Sequence, residues 1–152
     1  LSSEPVDLSA KLNLWLEDAG YLAEERAITI RSEIEPGMQV RGDVGLLQQV
    51  AHNLFSNAVR HNVDGGEIVC RLDAEGDSAI LDISNTGPEI SESEREQIFA
   101  RFQRGSAAQG TGSGLGLSLV REIVTAHGGT IALHPEDGKT IFRVILPKIS
   151  PV

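Results

Sequence analysis

One cysteine, Cys70, is all the chain has, so no intrachain disulfide can form and a reducing compartment is the simpler setting. Standing alone in an apolar run, it reads as a small buried side chain rather than a reactive thiol. Aromatic residues are equally scarce at 4%, so the core must rest on Leu, Ile, Val and Ala. No apolar stretch approaches the roughly 20 residues that span a bilayer, and no signal-peptide pattern opens the chain. Cations are short too: 13 Lys and Arg against 22 Asp and Glu leave a formal charge of −9. That balance argues against nucleic acid or an anionic membrane as a partner of the whole surface, though a local cation cluster can still hold one anion. Internal repeats and low-complexity tracts are absent as well. The chain opens on Leu1 rather than methionine, so we expect a piece of something longer.

What is present fits one soluble α+β domain: 152 residues, 40% apolar and 23% charged. Leu8, Leu12, Trp15, Leu16, Ala19 and Leu22 recur at three- and four-residue steps and predict a helix. Residues 27–34 alternate as a strand, and 39–41 form a second, short one. Leu47, Val50, Leu54 and Ala58 mark a second helix from Asp43, its N-cap, to about His61. Strands follow over 67–74 and 78–84, joined by the Glu75-Gly76-Asp77 turn as an antiparallel pair. Ser91 and Glu94 form a capping box for a helix to about Ala100 that carries Ile98 and Phe99 toward the core. A Gly-, Ser- and Gln-rich loop precedes a helix over 115–127 that Gly128-Gly129 closes, and strands over 130–133 and 140–146 complete the chain. Hairpins and separated helices in this order favour one sheet covered on a face by helices.

Three patches carry chemistry. Asn53 and Asn57 share a face in the second helix, although Asn prefers caps. Two amide oxygens suit a hard cation such as Mg²⁺, and Arg60 with His61 one turn later offers a phosphate contact and a ring to stack on a base. A polar face in solvent is the plain alternative. Asn85-Thr86-Gly87 follows a strand, where Gly87 permits a tight turn and close ligand approach and the Asn85 amide can pair with a purine edge; an ordinary turn explains it equally. Gly110 to Leu117 leads glycines into a helix whose first N–H groups favour phosphate. It is neither a Walker A loop nor a Rossmann fingerprint, and a flexible linker is its alternative.

In order and spacing these patches resemble the catalytic, ATP-binding domain of sensor histidine kinases, in the superfamily that also contains gyrase and MutL ATPases. Asn53 to His61 is similar to the N box, Asn85 to Ile90 to the G1 box, Ile98 to Phe102 to the F box, Gly112 to Leu117 to the G2 box, and Gly138 to Phe142 to the closing glycine–threonine element. His127-Gly128-Gly129 matches the family pattern too. Each box is weak alone; five in register are specific.

The resemblance implies a two-layer α/β sandwich of the Bergerat type, with a mixed, mostly antiparallel sheet covered on one face by helices. Its catalytic domain would run over 8–150 with an ATP lid at about 101–113, and residues 1–7 would end the connection from a dimerisation hairpin bearing the phosphoacceptor histidine. Mg²⁺ would sit on Asn53 and Asn57, phosphate on Arg60, the base against His61, and the adenine amino group on Asn85. Gly87, Ile90, Phe102, Gly112, Gly114, Leu115, Gly116, Leu117 and Thr140 would complete the ATP site, and Arg60, Arg101 and Arg104 would steady the transferring phosphoryl group.

Two departures stand out. Asn85 replaces the usual Asp, as in kinases resembling heavy-metal sensors, and an amide oxygen still accepts the same hydrogen bond; Glu89 replaces the second G1 glycine. Gln49, four before Asn53, stands where related ATPases are expected to carry a glutamate base, so hydrolysis should be poor. His52, His61, His127 and His134 lie outside a phosphoacceptor context, so the chain alone should not phosphorylate itself. A monomeric fragment of a homodimeric parent is expected. That parent would be an inner-membrane sensor with a cytoplasmic catalytic domain and a cognate response regulator. Competing readings are a gyrase-type hydrolase, an ATP-binding module without transfer, and a serine kinase of the anti-sigma-factor type.

Overall fold

Asp7 and Asp43 each start a helix by turning a carboxylate onto its first N–H groups. Asp7 Oδ1 accepts from Ala10 N–H at 3.0 Å, and Asp43 Oδ1 from Leu46 N–H at 3.1 Å. In the computed structural model, which describes residues 2–88, 91, 97–99, 113–136 and 138–149, these caps open α1 (Leu8–Glu24) and α2 (Val44–Arg60). The strands are β1 (Glu4–Asp7), β2 (Thr29–Ile34), β3 (Gln39–Gly42), β4 (Glu67–Glu75), β5 (Ser78–Thr86), β6 (Thr130–Glu136) and β7 (Lys139–Pro147). Helix α3 (Ser113–Ala126) lies between β5 and β6 in the chain and begins two residues before the predicted Leu115.

Five strands form one sheet in the order β2-β4-β5-β7-β6. Among the described strands of this sheet only the β2–β4 pair is parallel, and α2 lies in the long crossover that such a pair needs; the two hairpins and the β5–β7 pair are antiparallel. The expected α+β layering with a mostly antiparallel sheet is thus the observed one. Residues 4–7, read above as part of a connection, are strand β1 and pair with β3, Val6 lying buried opposite Val40.

Alternation fixes the two faces of the sheet. Ile68, Cys70, Leu72, Leu81, Ile83, Phe142 and Val144 point inward and share one core with Leu12 and Trp15 of α1, Leu47, Val50 and Leu54 of α2, and Val120 and Val124 of α3. Cys70 has no exposed surface, and burial pushes its thiol pKa up to about 12, so it is the inert apolar residue expected. On the opposite face Glu33, Arg71, Asp82 and Arg143 stand side by side across four strands with alternating charge. Arg71 pairs with Glu33 at 3.1 Å, and Arg143 meets Asp82 through two nitrogens at 2.8 and 3.0 Å.

The close of α3 follows from its glycines. Gly128 adopts φ of 77°, Gly128 N–H donates to Thr125 O and Gly129 N–H to Val124 O, the paired bonds of a Schellman cap. Of the predicted helix over 91–100 most residues lie outside those described, but Ile98 and Phe99 do meet the core. Phe99 stands edge-on to Phe142, centroids 5.9 Å apart at 89°, and the Arg121 guanidinium lies 5.9 Å from its ring centroid.

Candidate functional site

Helix α2 brings four of the predicted site residues to one end of the helix layer. Asn53 is half-buried and its Nδ2 lies 3.5 Å from Gly116 O on α3, so the first amide and the glycine-rich helix start face each other. Asn57 is buried, and among the described residues its Oδ1 has only a long contact, 3.5 Å, from an Arg60 guanidinium nitrogen. Burial lowers the pKa of Arg60, which still leaves guanidinium cationic. His61 caps α2, its N–H donating to Asn57 O at 3.0 Å. Part of its surface is accessible, yet desolvation, with the charge of Arg60 second, holds its pKa below the ordinary value.

A residue that sequence reasoning missed steadies this end of α2. Arg26 donates to the carbonyls of Val59 and Asn62, and pairs with Asp64 at 2.8 Å, so it satisfies helix-end acceptors next to Arg60 and His61. Nothing in its sequence neighbourhood marks that role.

The turn after β5 closes on the same end. Gly87 has φ of 150°, and a Cβ there would lie 2.6 Å from the carbonyl oxygen of His61, while Gly87 N–H donates to Gly138 O at 3.2 Å. The close approach that the sequence suggested for a ligand is therefore made, at this glycine, by the α2 backbone. Gly87→Ala combines that overlap with an unfavourable φ, and should destabilise the chain by about 2 to 4 kcal/mol in denaturant unfolding; a change under about 0.5 kcal/mol would refute the account.

Beside this turn stands the most telling polar group. Asn85 is 2% exposed, and its Nδ2 donates to Thr86 O at 3.0 Å, so its orientation is fixed with the oxygen turned the other way. That Oδ1 is buried without a hydrogen-bond partner among the described residues. Buried acceptors are normally satisfied, so this one suits a donor from beyond the described residues. Thr140, also buried, is the cross-strand neighbour of Asn85 on β7.

Gly114 and Gly116 lie in the first turn of α3, where unpaired N–H groups suit an anion, and Leu115 lies between them on its backbone. Leu117 is 5% exposed and its side chain belongs to the core. Ile90, Phe102, Gly112, Arg101 and Arg104, with nearly all of the expected lid, lie outside the described residues.

Gln49 requires a correction. It is exposed and lines a groove of ≈ 490 Å³ between α1 and α2 together with Trp15, Asp18, Gln48 and His52, whereas the Asn53 amide turns to Gly116 O of α3. Each four-residue step turns about 40° round a helix, so the residue one step before Asn53 has drifted toward α1. Helix α2 itself, seventeen residues long, contains no Asp or Glu.

The family model for "Histidine kinase-, DNA gyrase B-, and HSP90-like ATPase" matches residues 42–150. Sensor protein CutS of Streptomyces coelicolor is 37% identical over 150 residues, which cover 95% of this chain and 36% of CutS, so the chain spans about a third of that relative. The nucleotide-free catalytic domain of histidine kinase ThkA superposes with a TM-score of 0.90 at 25% identity, covering 97% of both chains. The mycobacterial sensor histidine kinase MprB superposes with a TM-score of 0.85 at 30% identity over 97% of this chain and 100% of the other. ThkA in complex with the response regulator TrrA gives a TM-score of 0.76 at 25% identity over 97% of this chain and 42% of ThkA.

Proposed function

The chain belongs to the histidine kinase-, DNA gyrase B- and HSP90-like ATPase family as a catalytic domain of the sensor histidine kinase kind, and from that premise we propose that it binds Mg²⁺-ATP and passes the γ-phosphoryl group to a histidine on a separate helical hairpin. The observation that carries transfer over hydrolysis is an Asn-bearing helix that turns amides, and no carboxylate, toward the nucleotide cleft.

The residues fit the ligand. The free Oδ1 of Asn85 suits the adenine amino group, and the Asn53 and Asn57 amides supply hard oxygen donors of the kind Mg²⁺ accepts alongside phosphate and water. Bound there, the ion would offset phosphate charge. Arg60 meets a phosphate oxygen, His61 presents its uncharged ring to the base, and the first-turn amides of α3 hold the phosphate tail. The nitrogen of the acceptor histidine then bonds to the γ-phosphorus as the bond to the β–γ bridging oxygen breaks, releasing ADP. Arg101 and Arg104 are proposed to neutralise charge during that step, on family likeness alone.

On this reading the parent protein is a homodimeric sensor in a bacterial inner membrane. Its catalytic domain is cytoplasmic, where ATP is at hand, and its product phosphohistidine is passed to a response regulator, the class of protein with which ThkA has been solved. The test mixes this chain with the parent's hairpin, made separately, and γ-labelled ATP. Acid-labile, base-stable label on the hairpin is expected; free phosphate with an unlabelled hairpin would establish the hydrolase instead.

A further inference from the structure

His127 closes α3, yet both of its ring nitrogens are engaged. Nδ1 lies 2.7 Å from Ile123 O, an acceptor only, so the proton is on Nδ1; Nε2 is then free to accept, and does so from Asp43 N–H at 3.1 Å. The second bond joins residues 84 apart in sequence, and it lands on the N-cap of α2. Gly42 makes room for the ring: a Cβ there would stand 2.4 Å from its Cδ2. Asp43 is itself held from the other side. Its carboxylate accepts from Ser2 N–H at 3.0 Å and from Leu46 N–H, and these bonds, that from Ser2 foremost, keep its pKa below the usual carboxylate range.

The position of this bond matters more than its strength. Helices α2 and α3 pack against each other in opposite directions, since the C-terminal end of α3 meets the N-terminal end of α2 while Gly116, at the start of α3, meets Asn53 in the middle of α2. The two contacts lie about 15 Å apart along α2, at 1.5 Å per residue. One fixes the far end of the pair; the other lies in the cleft where α2 offers its amides and α3 its first N–H groups. Losing the His127 bond frees α3 to slide or tilt against α2 about the far end, and a small rotation there becomes a displacement of the glycine-rich turn.

We propose that His127 is a positioning residue for the phosphoryl-transfer site, setting through Asp43 the register between the Asn-bearing helix and the phosphate-binding start of α3. This goes beyond the proposed function and rests on its nucleotide site. It distinguishes parts of the ligand: adenine is held from β5 and β7 by Asn85 and Thr140, whereas the metal-bound triphosphate spans α2 and α3. Disturbing His127 therefore weakens ATP and spares AMP.

The test compares His127→Gln, whose amide oxygen reaches the place of Nε2, with His127→Asn, which can replace the bond to Ile123 O but is too short to reach Asp43. A third variant, Gly42→Ala, pushes on the ring without changing it. Calorimetry with Mg²⁺-ATP and with AMP is run on each chain, with thermal unfolding to show that it is folded. Expected is a loss of roughly tenfold or more in ATP affinity for His127→Asn and Gly42→Ala, with AMP unchanged and His127→Gln within about threefold of the parent chain. Equal losses for ATP and AMP, normal ATP binding by His127→Asn, or a Gln variant no better than the Asn variant would overturn the proposal. Failure of the unaltered chain to bind either nucleotide would overturn the function itself, and this role with it.

Discussion

Asn57→Ala is expected to remove Mg²⁺-dependent ATP binding from a chain that still folds. The two halves of that expectation have separate physical grounds. Asn57 Oδ1 is buried on α2 and has only a 3.5 Å contact from Arg60, so truncation breaks no strong bond. The cost to stability should stay near 1 to 2 kcal/mol, the scale of a small polar cavity. Loss of a ligand atom is a different matter, because Mg²⁺ tolerates few substitutes for its oxygen donors. The part of ATP affinity that depends on magnesium should fall by about 100-fold or more. Titration calorimetry with magnesium and with a chelator separates that part from the rest. If the Ala chain shows the same magnesium dependence as its parent, Asn57 is not a ligand.

Asn85→Leu should push stability and binding in opposite senses. An oxygen acceptor left unpaired in a buried site costs about 1 to 3 kcal/mol, and the described residues offset this for Asn85 only through the bond from Nδ2 to Thr86 O. Leucine abolishes both, and the unfolding free energy should remain the same or rise by up to about 1 kcal/mol. ATP affinity, by contrast, should drop roughly 30- to 100-fold, because the purine amino group then enters a dry site with no acceptor. Because Nδ2 is tied to Thr86, the amide cannot turn over without loss, so the parent chain is expected to reject inosine triphosphate, which has a carbonyl in place of the amino group. The Leu variant should bind both nucleotides alike. A parent chain that fails to distinguish them, or a Leu variant that retains the preference, would remove Asn85 from base recognition.

What could be read in the sequence was local. The cap at Asp43 was legible because a carboxylate ahead of an apolar helical step has few other uses. The β4–β5 hairpin was legible because Gly76 supplies φ of 59° in a two-residue turn. The pairing of β2 with β4 was not: alternation announces a strand but says nothing of its neighbour or direction. Strand β1 escaped because four residues, one of them Pro5, carry too little pattern. Gln49 was placed by likeness to related ATPases, and that likeness carries no information on the groove its side chain lines. His127 was legible as the residue before a glycine cap and illegible as the partner of Asp43, since a bond across 84 residues leaves no trace in spacing. The unpaired oxygen of Asn85 is a property of its surroundings, visible only once β5 and β7 are side by side.

The alternating row Glu33, Arg71, Asp82, Arg143 guards against an error that the hydrophobic pattern cannot detect. Shifting a strand by one residue turns its apolar set to solvent and is forbidden at once, but a shift by two keeps every inward residue inward. A slip of that kind between β5 and β7 would set Asp82 against Ile141 or Ile145 and part it from Arg143. Apolar alternation thus rules out the odd misalignments and the ionic row disfavours the even ones, which favours the alignment in which Asn85 faces Thr140.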